Sequence, residues 1–473
     1  LRDRGLPNII FDKGPGELDA GWEAENVGVV NIKSVYDMSD ASFNGCFFNV
    51  CTTAPNITSV QDFADPMNAT ADQRPARFVR FVKAVSLPDP DDPTLVDPPD
   101  LDNSAFGPRR NNGMREIVGY APVEPDGSVK VKVPANVALA VEVLDSEGRR
   151  IGPRHQNWFQ VQPGDMLECS GCHDLSNGGN PPEVHSRADA RAPSINSGLP
   201  ATLQYANTLI PGTAAPNPYW GDPGQTMAEV RFDRVGLTVP ASIEPQLSPD
   251  LIYDDYWTDP AVRVPDASYA YEYTNLDLTI LSPLNSFCTP WLFNCRAVIN
   301  YEQQIHPVWQ VDRGVDGDAN GVGDDTCTEC HTTTDAMNND RVADAQLDLT
   351  DGDSDQDPDQ YKSYRELLFT DQEETLVGGM LQDLLVPDGM GGQTTVNVNP
   401  SMSVNGARAS YFIEKMTETE LDAGRSLSTV GSDPNYVDHS GMLTGDELKL
   451  ISEWLDLGAQ NFNDPFDPTA PQN

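Results

Sequence analysis

Basic side chains are in short supply. Lys and Arg number 30 against 73 Asp and Glu, a formal net charge of −43 over 473 residues. So one-sided a balance argues against nucleic acid and anionic membrane surfaces as partners, because both repel it. It suits basic partners, high-salt surroundings or bound cations instead. Long apolar runs are also missing. No stretch of about 18 apolar residues occurs, so nothing reads as a membrane-spanning helix. The first residues, Leu1-Arg2-Asp3-Arg4, lack the apolar region of a signal peptide. Histidine is scarce, with six in the whole chain, which makes each one a candidate to be accounted for.

The eight cysteines are not scattered. Four lie in two copies of one pattern, Cys169-Ser170-Gly171-Cys172-His173 and Cys327-Thr328-Glu329-Cys330-His331. Each reads as a c-type haem attachment site. Two thiols must reach the two vinyl groups of one porphyrin, the two intervening residues set that reach, and the next His becomes the proximal ligand of the iron. A lone match could be half of a zinc site. Two intact matches, with no CxxC lacking its His, point to two covalently bound haem c groups. The other four cysteines form two close pairs, Cys46 with Cys51 and Cys288 with Cys295. They read as local disulfides in an oxidising compartment, with buried free thiols as the alternative. Haem c is attached outside the cytoplasm, so the expected location is extracellular or periplasmic, and we read the chain as mature after signal-peptide removal.

A chain this long suggests two to four domains. Residues 1–110 read as an N-terminal β region with the Cys46–Cys51 staple. Val27–Ile32 and Arg77–Val85 are its strands, and a Pro/Asp-rich linker follows between Leu87 and Asp102. Residues 111–190 read as a small β-sandwich carrying the first haem motif. There Val129, Val131 and Val133 alternate with Lys130 and Lys132, and Asp126-Gly127 and Glu147-Gly148 mark turns. His155 to Val161 continues as a strand and Pro163-Gly164-Asp165 turns into the motif, so haem one is expected at the end of a β-hairpin. Residues 191–298 read as long ordered loops with the Cys288–Cys295 staple. Residues 299–473 read as a cytochrome c-like domain with the second motif. Its expected helices are Ile299–Gln310, Tyr361–Phe369, Ser410–Met416 and a last one with a capping box of Thr444 and Glu447. That last helix has an apolar stripe of Leu448, Ile451 and Leu455, and Gly458 ends it. The expected fold class is therefore mixed: mainly β and irregular in the N-terminal half, mainly α in the C-terminal domain.

Two irons need sixth ligands, and His155, His185, His306 and His439 remain once His173 and His331 are taken as proximal. A lone His is more often structural, but the scarcity of His weakens that reading. His439 is favoured for haem two. It sits in Asp438-His439-Ser440-Gly441-Met442-Leu443 ahead of the last helix, where monohaem cytochrome c domains often carry the distal Met. Met442 competes, and its thioether would raise the potential. For haem one, His185 in the loop after the motif is preferred to His155, and His306 could serve either haem.

Two acidic loops are calcium candidates. Asp316, Asp318, Asn320 and Asp324 fall at positions 1, 3, 5 and 9 of an EF-type loop with Gly321 at position 6. Position 12 is Cys327 rather than Glu, so the bidentate ligand is missing. Asp351-Gly352-Asp353-Ser354-Asp355-Gln356-Asp357 is a weaker second candidate. A solvated acidic loop is the alternative for both.

Several segments resemble bacterial multidomain cytochromes related to the alpha subunit of hydrazine synthase. They are Gly119–Ser128, Lys132-Val133-Pro134-Ala135-Asn136, Val161-Gln162-Pro163-Gly164 ahead of Cys169, and Asp438–Pro465. The resemblance covers roughly residues 70–190 and 298–466, and implies β-domains plus a C-terminal c-type domain, both haem-bearing. It does not carry over the synthase activity. The family's catalytic haem has a Tyr four residues beyond the motif His, where this chain has Asn177. The propeller of the larger relatives has no room in this N-terminal region.

The expected function is an extracytoplasmic dihaem cytochrome c that transfers electrons, more an electron carrier than a catalyst. Its partners would be redox proteins or further copies of itself in a cytochrome chain or filament. One rival is a haem oxidoreductase with one open-coordination iron, which a high-spin band shifted by cyanide or azide would reveal. The other is a surface structural protein stabilised by haem, which would lack reversible redox activity.

Overall fold

The computed structural model describes residues 18–37, 43–65, 68–86, 106–109, 113–155, 157–169, 171, 225–234, 246–258, 264–314, 325–427 and 436–462. The chain divides into two compact units. Leu1–Lys83, Ile117–Ala270 and Leu284–Arg296 form the first; Ala84–Glu116, Tyr271–Pro283 and Ala297–Asn473 form the second.

The first unit is built on six strands: β1 (Val27–Ile32), β2 (Phe78–Ala84), β3 (Arg115–Pro122), β4 (Val129–Pro134), β5 (Leu139–Leu144) and β6 (Met166–Cys169). They make two three-stranded sheets, ordered β4-β1-β6 and β3-β2-β5. The upstream strands β1 and β2 are thus the central ones. The apolar run of β1 is buried along its whole length. In β4, Val129, Val131 and Val133 are buried while Lys130 and Lys132 are half-buried. Each buried valine contributes about 1.5–3 kcal/mol, and a one-residue slip would expose all three, so the alternation holds the register.

Side chains of both sheets join one apolar cluster, including Val30, Ile32, Val79, Phe81, Val118, Val131, Leu139 and Val143. The turn at Asp126-Gly127 forms, with Gly127 at φ +81°. It does not close a hairpin, however, because β3 and β4 lie in different sheets. The Pro163-Gly164-Asp165 turn likewise leads into β6, which runs parallel to β1 with Cys169 opposite Ile32. Cys169 therefore ends a parallel edge strand rather than a hairpin. Cys46 is bonded to Cys51 and Cys288 to Cys295.

The second unit corrects the expectation of a mainly α C-terminal domain. Its helices are short: Cys327–Cys330, Lys362–Leu368, Tyr411–Thr417 and Gly445–Leu457, with a π turn at Tyr301–Ile305 and a 3₁₀ turn at His306–Gln310. Between them lie three antiparallel strand pairs. Glu374–Val377 pairs with Met380–Asp383, Leu385–Pro387 with Gln393–Thr395, and Asp371–Gln372 with Asn397–Val398. The physical reason is glycine. Gly378 and Gly379 both take positive φ, +67° and +85°, which is the backbone of a two-residue hairpin turn and not of a helix.

The last helix has its capping box. Thr444 N–H donates to Glu447 Oε2 at 2.8 Å and Glu447 N–H to Thr444 Oγ1 at 3.2 Å. Gly458 ends it at φ +119°. Ile451 and Leu455 are fully buried, Leu448 is half-buried, and Leu450, Trp454 and Leu457 join the interior. No helix among the described residues is long and apolar enough to cross a membrane.

Candidate metal centre

The second motif occupies a single helical turn, Cys327–Cys330, with His331 at its C-cap. Residues three apart on a helix share a face, so both thiols lie on the same side of the turn. His331 N–H donates to the Cys327 carbonyl at 3.0 Å. Arg341 Nη2 donates to the Cys330 carbonyl at 3.0 Å, and Leu349 N–H donates to the His331 carbonyl at 2.9 Å. The turn is thus pinned from outside at the end where its own carbonyls have no helical partner. Burial pushes the Cys327 and Cys330 thiols up.

The His331 imidazole Nδ1 lies 2.9 Å from the Asp344 carbonyl oxygen. A carbonyl can only accept, so Nδ1 carries the proton and Nε2 keeps its lone pair. His439 repeats the arrangement, with Nδ1 2.8 Å from the Val437 carbonyl oxygen. The two ring centroids lie 6.2 Å apart, with planes tilted by 40°. An imidazole nitrogen binds a metal at about 2 Å and its ring centre lies about 1 Å further back, so two imidazoles on opposite sides of one ion have centroids about 6 Å apart. Burial, then the neighbouring His439, holds His331 below the usual imidazole range; burial does the same for His439. Both are therefore neutral near pH 7, as metal-binding imidazoles must be.

The remaining histidines are placed differently. His306 is buried with both ring nitrogens engaged: Nδ1 lies 3.2 Å from Ser363 Oγ and Nε2 3.3 Å from Gln310 Nε2. Tyr301 and Tyr361 pack on its ring. It is an interior histidine with both ring nitrogens within hydrogen-bond distance of side chains. His155 packs edge-on against Phe159. His173 and His185 lie outside the described residues, as do Cys172 and the candidate calcium ligands Asp316, Asp318, Asn320 and Asp324. The second acidic loop, Asp351–Asp357, is an exposed bend around the buried Ser354. Among the described residues no group of three or more His, Cys, Asp and Glu is placed to hold a metal ion.

At the first motif, Cys169 is half-buried, and its carbonyl accepts from Lys33 N–H at 2.8 Å. A Cβ on Gly171 would come within 2.2 Å of the Asp37 carbonyl oxygen. Only glycine fits there, because the chain after Cys169 lies directly on the turn that follows β1.

Residues 99–174 match the hydrazine synthase alpha subunit middle domain. The matched stretch includes β3 to β6 and ends one residue beyond His173, so it contains the first motif and the resembling segments at 119–128, 132–136 and 161–164. A solved structure, Kuenenia stuttgartiensis hydrazine synthase, matches over 94% of this chain at 17% identity with a TM-score of 0.45. This chain covers 44% of that chain's length. No curated protein matches.

The backbone acceptors Asp344 and Val437 and the clamp Arg341 were not anticipated. The two acceptors act through a carbonyl that every residue carries, so no residue type could have signalled them.

Proposed function

We propose that this chain is a c-type haem protein that passes single electrons. One haem would be held by Cys327, Cys330, His331 and His439, and another by Cys169, Cys172 and His173. The observation that carries the reading is the close pair His331 and His439, 6.2 Å between centroids, each with Nδ1 tied to a backbone carbonyl. A haem with two nitrogen ligands supplies one-electron transfer at its iron. The chain's own residues anchor and orient. The thiols of one helical turn provide the covalent hold, and the Asp344 and Val437 carbonyls fix the tautomers that leave both Nε2 atoms as donors. Were His331 and His439 both to bind the iron, no position on it would be left for a substrate, which favours carriage over catalysis. The match of residues 99–174 to a hydrazine synthase domain supports redox haem chemistry for the stretch bearing the first motif. The synthase reaction itself is not proposed.

An extracytoplasmic location follows from the same attachment chemistry, and the bonded pairs Cys46–Cys51 and Cys288–Cys295 support it. The partner we propose is a redox protein with a basic face, in keeping with the charge of −43. The test is intact mass after expression with c-type maturation, followed by peptide mapping. The expected mass exceeds the polypeptide by two haems, with one on each motif peptide. An unmodified mass overturns the reading, and a single haem on 327–331 removes the first site.

A further inference from the structure

His331 and His439 are 108 residues apart in sequence, yet their ring centroids lie 6.2 Å apart, which calls for something that ties the two segments together. The motif turn begins at Cys327, while His439 sits on a turn (Met442 N–H donates to the His439 carbonyl at 3.2 Å) that runs into the last helix. One buried ion pair joins the approach to the motif to the cap of the last helix. Arg313 Nη1 donates to Glu447 Oε1 at 2.7 Å and Oε2 at 2.8 Å. The side chains are 7% and 3% exposed.

On the motif side, Arg313 N–H donates to the Asp325 carbonyl at 3.0 Å, two residues before Cys327. Its Nη2 donates to the Val308 carbonyl. On the other side, Glu447 is the capping-box residue that closes on Thr444, at the start of the helix that His439 precedes.

We infer that Arg313 and Glu447 are positioning residues that hold the His331 turn and the His439 loop at ligating separation. The inference rests on the haem reading above. The motif turn is held at its C-terminal end by Arg341 and Leu349, and the His439 segment by its turn bond from Met442 N–H, but none of these bonds ties one segment to the other. The fork of Arg313 meets a carboxylate, a backbone carbonyl and, through its own N–H, the approach to Cys327. A point-charge Lys cannot satisfy that combination. Nη1 bridges the two carboxylate oxygens while Nη2 holds the Val308 carbonyl, so the guanidinium plane is set by two partners at once. Removing it leaves both ligands in the chain but frees their separation.

The experiment is the oxidised absorption and EPR spectrum of the full-length, haem-loaded protein, beside its thermal unfolding. Arg313→Met and Arg313→Lys should each turn a fraction of one haem high-spin, and added imidazole should return it to low spin. Glu447→Gln keeps one oxygen that can accept from Arg313 and Thr444 but sets its NH2 against the guanidinium, and should turn a smaller fraction of that haem high-spin than Arg313→Met. Thr444→Ala removes only the cap, and should lower the unfolding temperature without changing the spin state. An Arg313→Lys spectrum that stays wholly low-spin overturns the inference. So does a Thr444→Ala variant as high-spin as Arg313→Met, since general loosening would then account for the effect. Should Arg313→Met not fold, Arg313→Lys against Thr444→Ala decides alone. If the wild type carries no haem on Cys327 and Cys330, or if His439→Ala leaves its spectrum unchanged, the haem reading fails and the inference with it. If His439→Ala goes high-spin while Arg313→Lys does not, only the inference fails.

Discussion

Replacing His439 by alanine is the sharpest perturbation of the proposed centre. The substitution removes one imidazole and the hydrogen bond from its Nδ1 to Val437. It leaves untouched the Asp344 carbonyl that orients His331 and the Cys327–Cys330 turn. Haem attachment should therefore persist at full stoichiometry. Of two irons, one loses its sixth ligand, so about half of the haem should become high-spin in the oxidised spectrum. The cavity left has the size of the lost ring, so imidazole in solution should fill it and restore the low-spin spectrum, whereas a bulkier base should do so less well. Met442→Ala is the control, and should change nothing. The assay is the oxidised spectrum with an imidazole titration, read beside intact mass to show that both haems remain. A wholly low-spin His439→Ala would refute the reasoning. So would a thioether–iron charge-transfer band in the wild type that disappears in Met442→Ala.

Two further outcomes concern the frame around the sites. Arg80 and Glu142 sit directly opposite on β2 and β5, fully buried, with Arg80 Nε and Nη2 both donating to one carboxylate oxygen at 2.9 and 2.7 Å. Arg80→Met strands a buried carboxylate and should cost about 3–5 kcal/mol, toward the lower end because Arg150 Nε stands 3.9 Å from Glu142. The pair Arg80→Met with Glu142→Leu should recover most of the loss in a urea melt, and a double variant no better than the single would contradict the account. Burial pushes His306 down to about 4, so it stays neutral in the fold while it protonates in the unfolded chain below its ordinary value near 6.5. Its contribution is present above that value and is lost as pH falls toward 4, roughly 3 kcal/mol in all. Urea midpoints measured between pH 7.5 and 4.5 should fall less steeply in His306→Asn than in the wild type, and parallel slopes would argue against a neutral buried His306.

What could be read in the sequence was local. The alternation in Val129–Val133, the capping box of Thr444 and Glu447, and the short loops of the two disulfides each depend on residues a few positions apart. Strand partnership does not. The Asp126-Gly127 turn looks the same whether it closes a hairpin or hands the chain to a second sheet, and only β1 and β2, far upstream, decide the matter by taking the central places. The C-terminal unit went wrong for a different reason. Gly378-Gly379 between Leu376-Val377 and Met380-Leu381 is a hairpin signal that the expectation of a helical cytochrome domain left unread. At the site, position in the chain suggested His439. It gave no hint that His306, equally rare, would have both nitrogens occupied by Ser363 and Gln310. Satisfaction of a buried ring depends on neighbours that spacing does not reveal.

The interior also bears on how the charge of −43 acts. Several of the 30 basic residues do not face solvent. Arg80 is buried against Glu142, Arg149 against Asp145, Arg313 against Glu447 and Lys449 against Glu453. Each pair is neutral as a unit, so the net charge is unchanged, but the cations that could have interrupted an acidic surface are withdrawn from it. What remains outside is more uniformly anionic than the composition alone implies. Such a field attracts a basic protein over roughly 8–10 Å at physiological salt and fades as ions are added. It also opposes contact between two like copies unless cations or salt screen them. On the proposed electron-carrier reading, this field would favour a basic partner, and a filament of identical chains would have to be held by something other than charge.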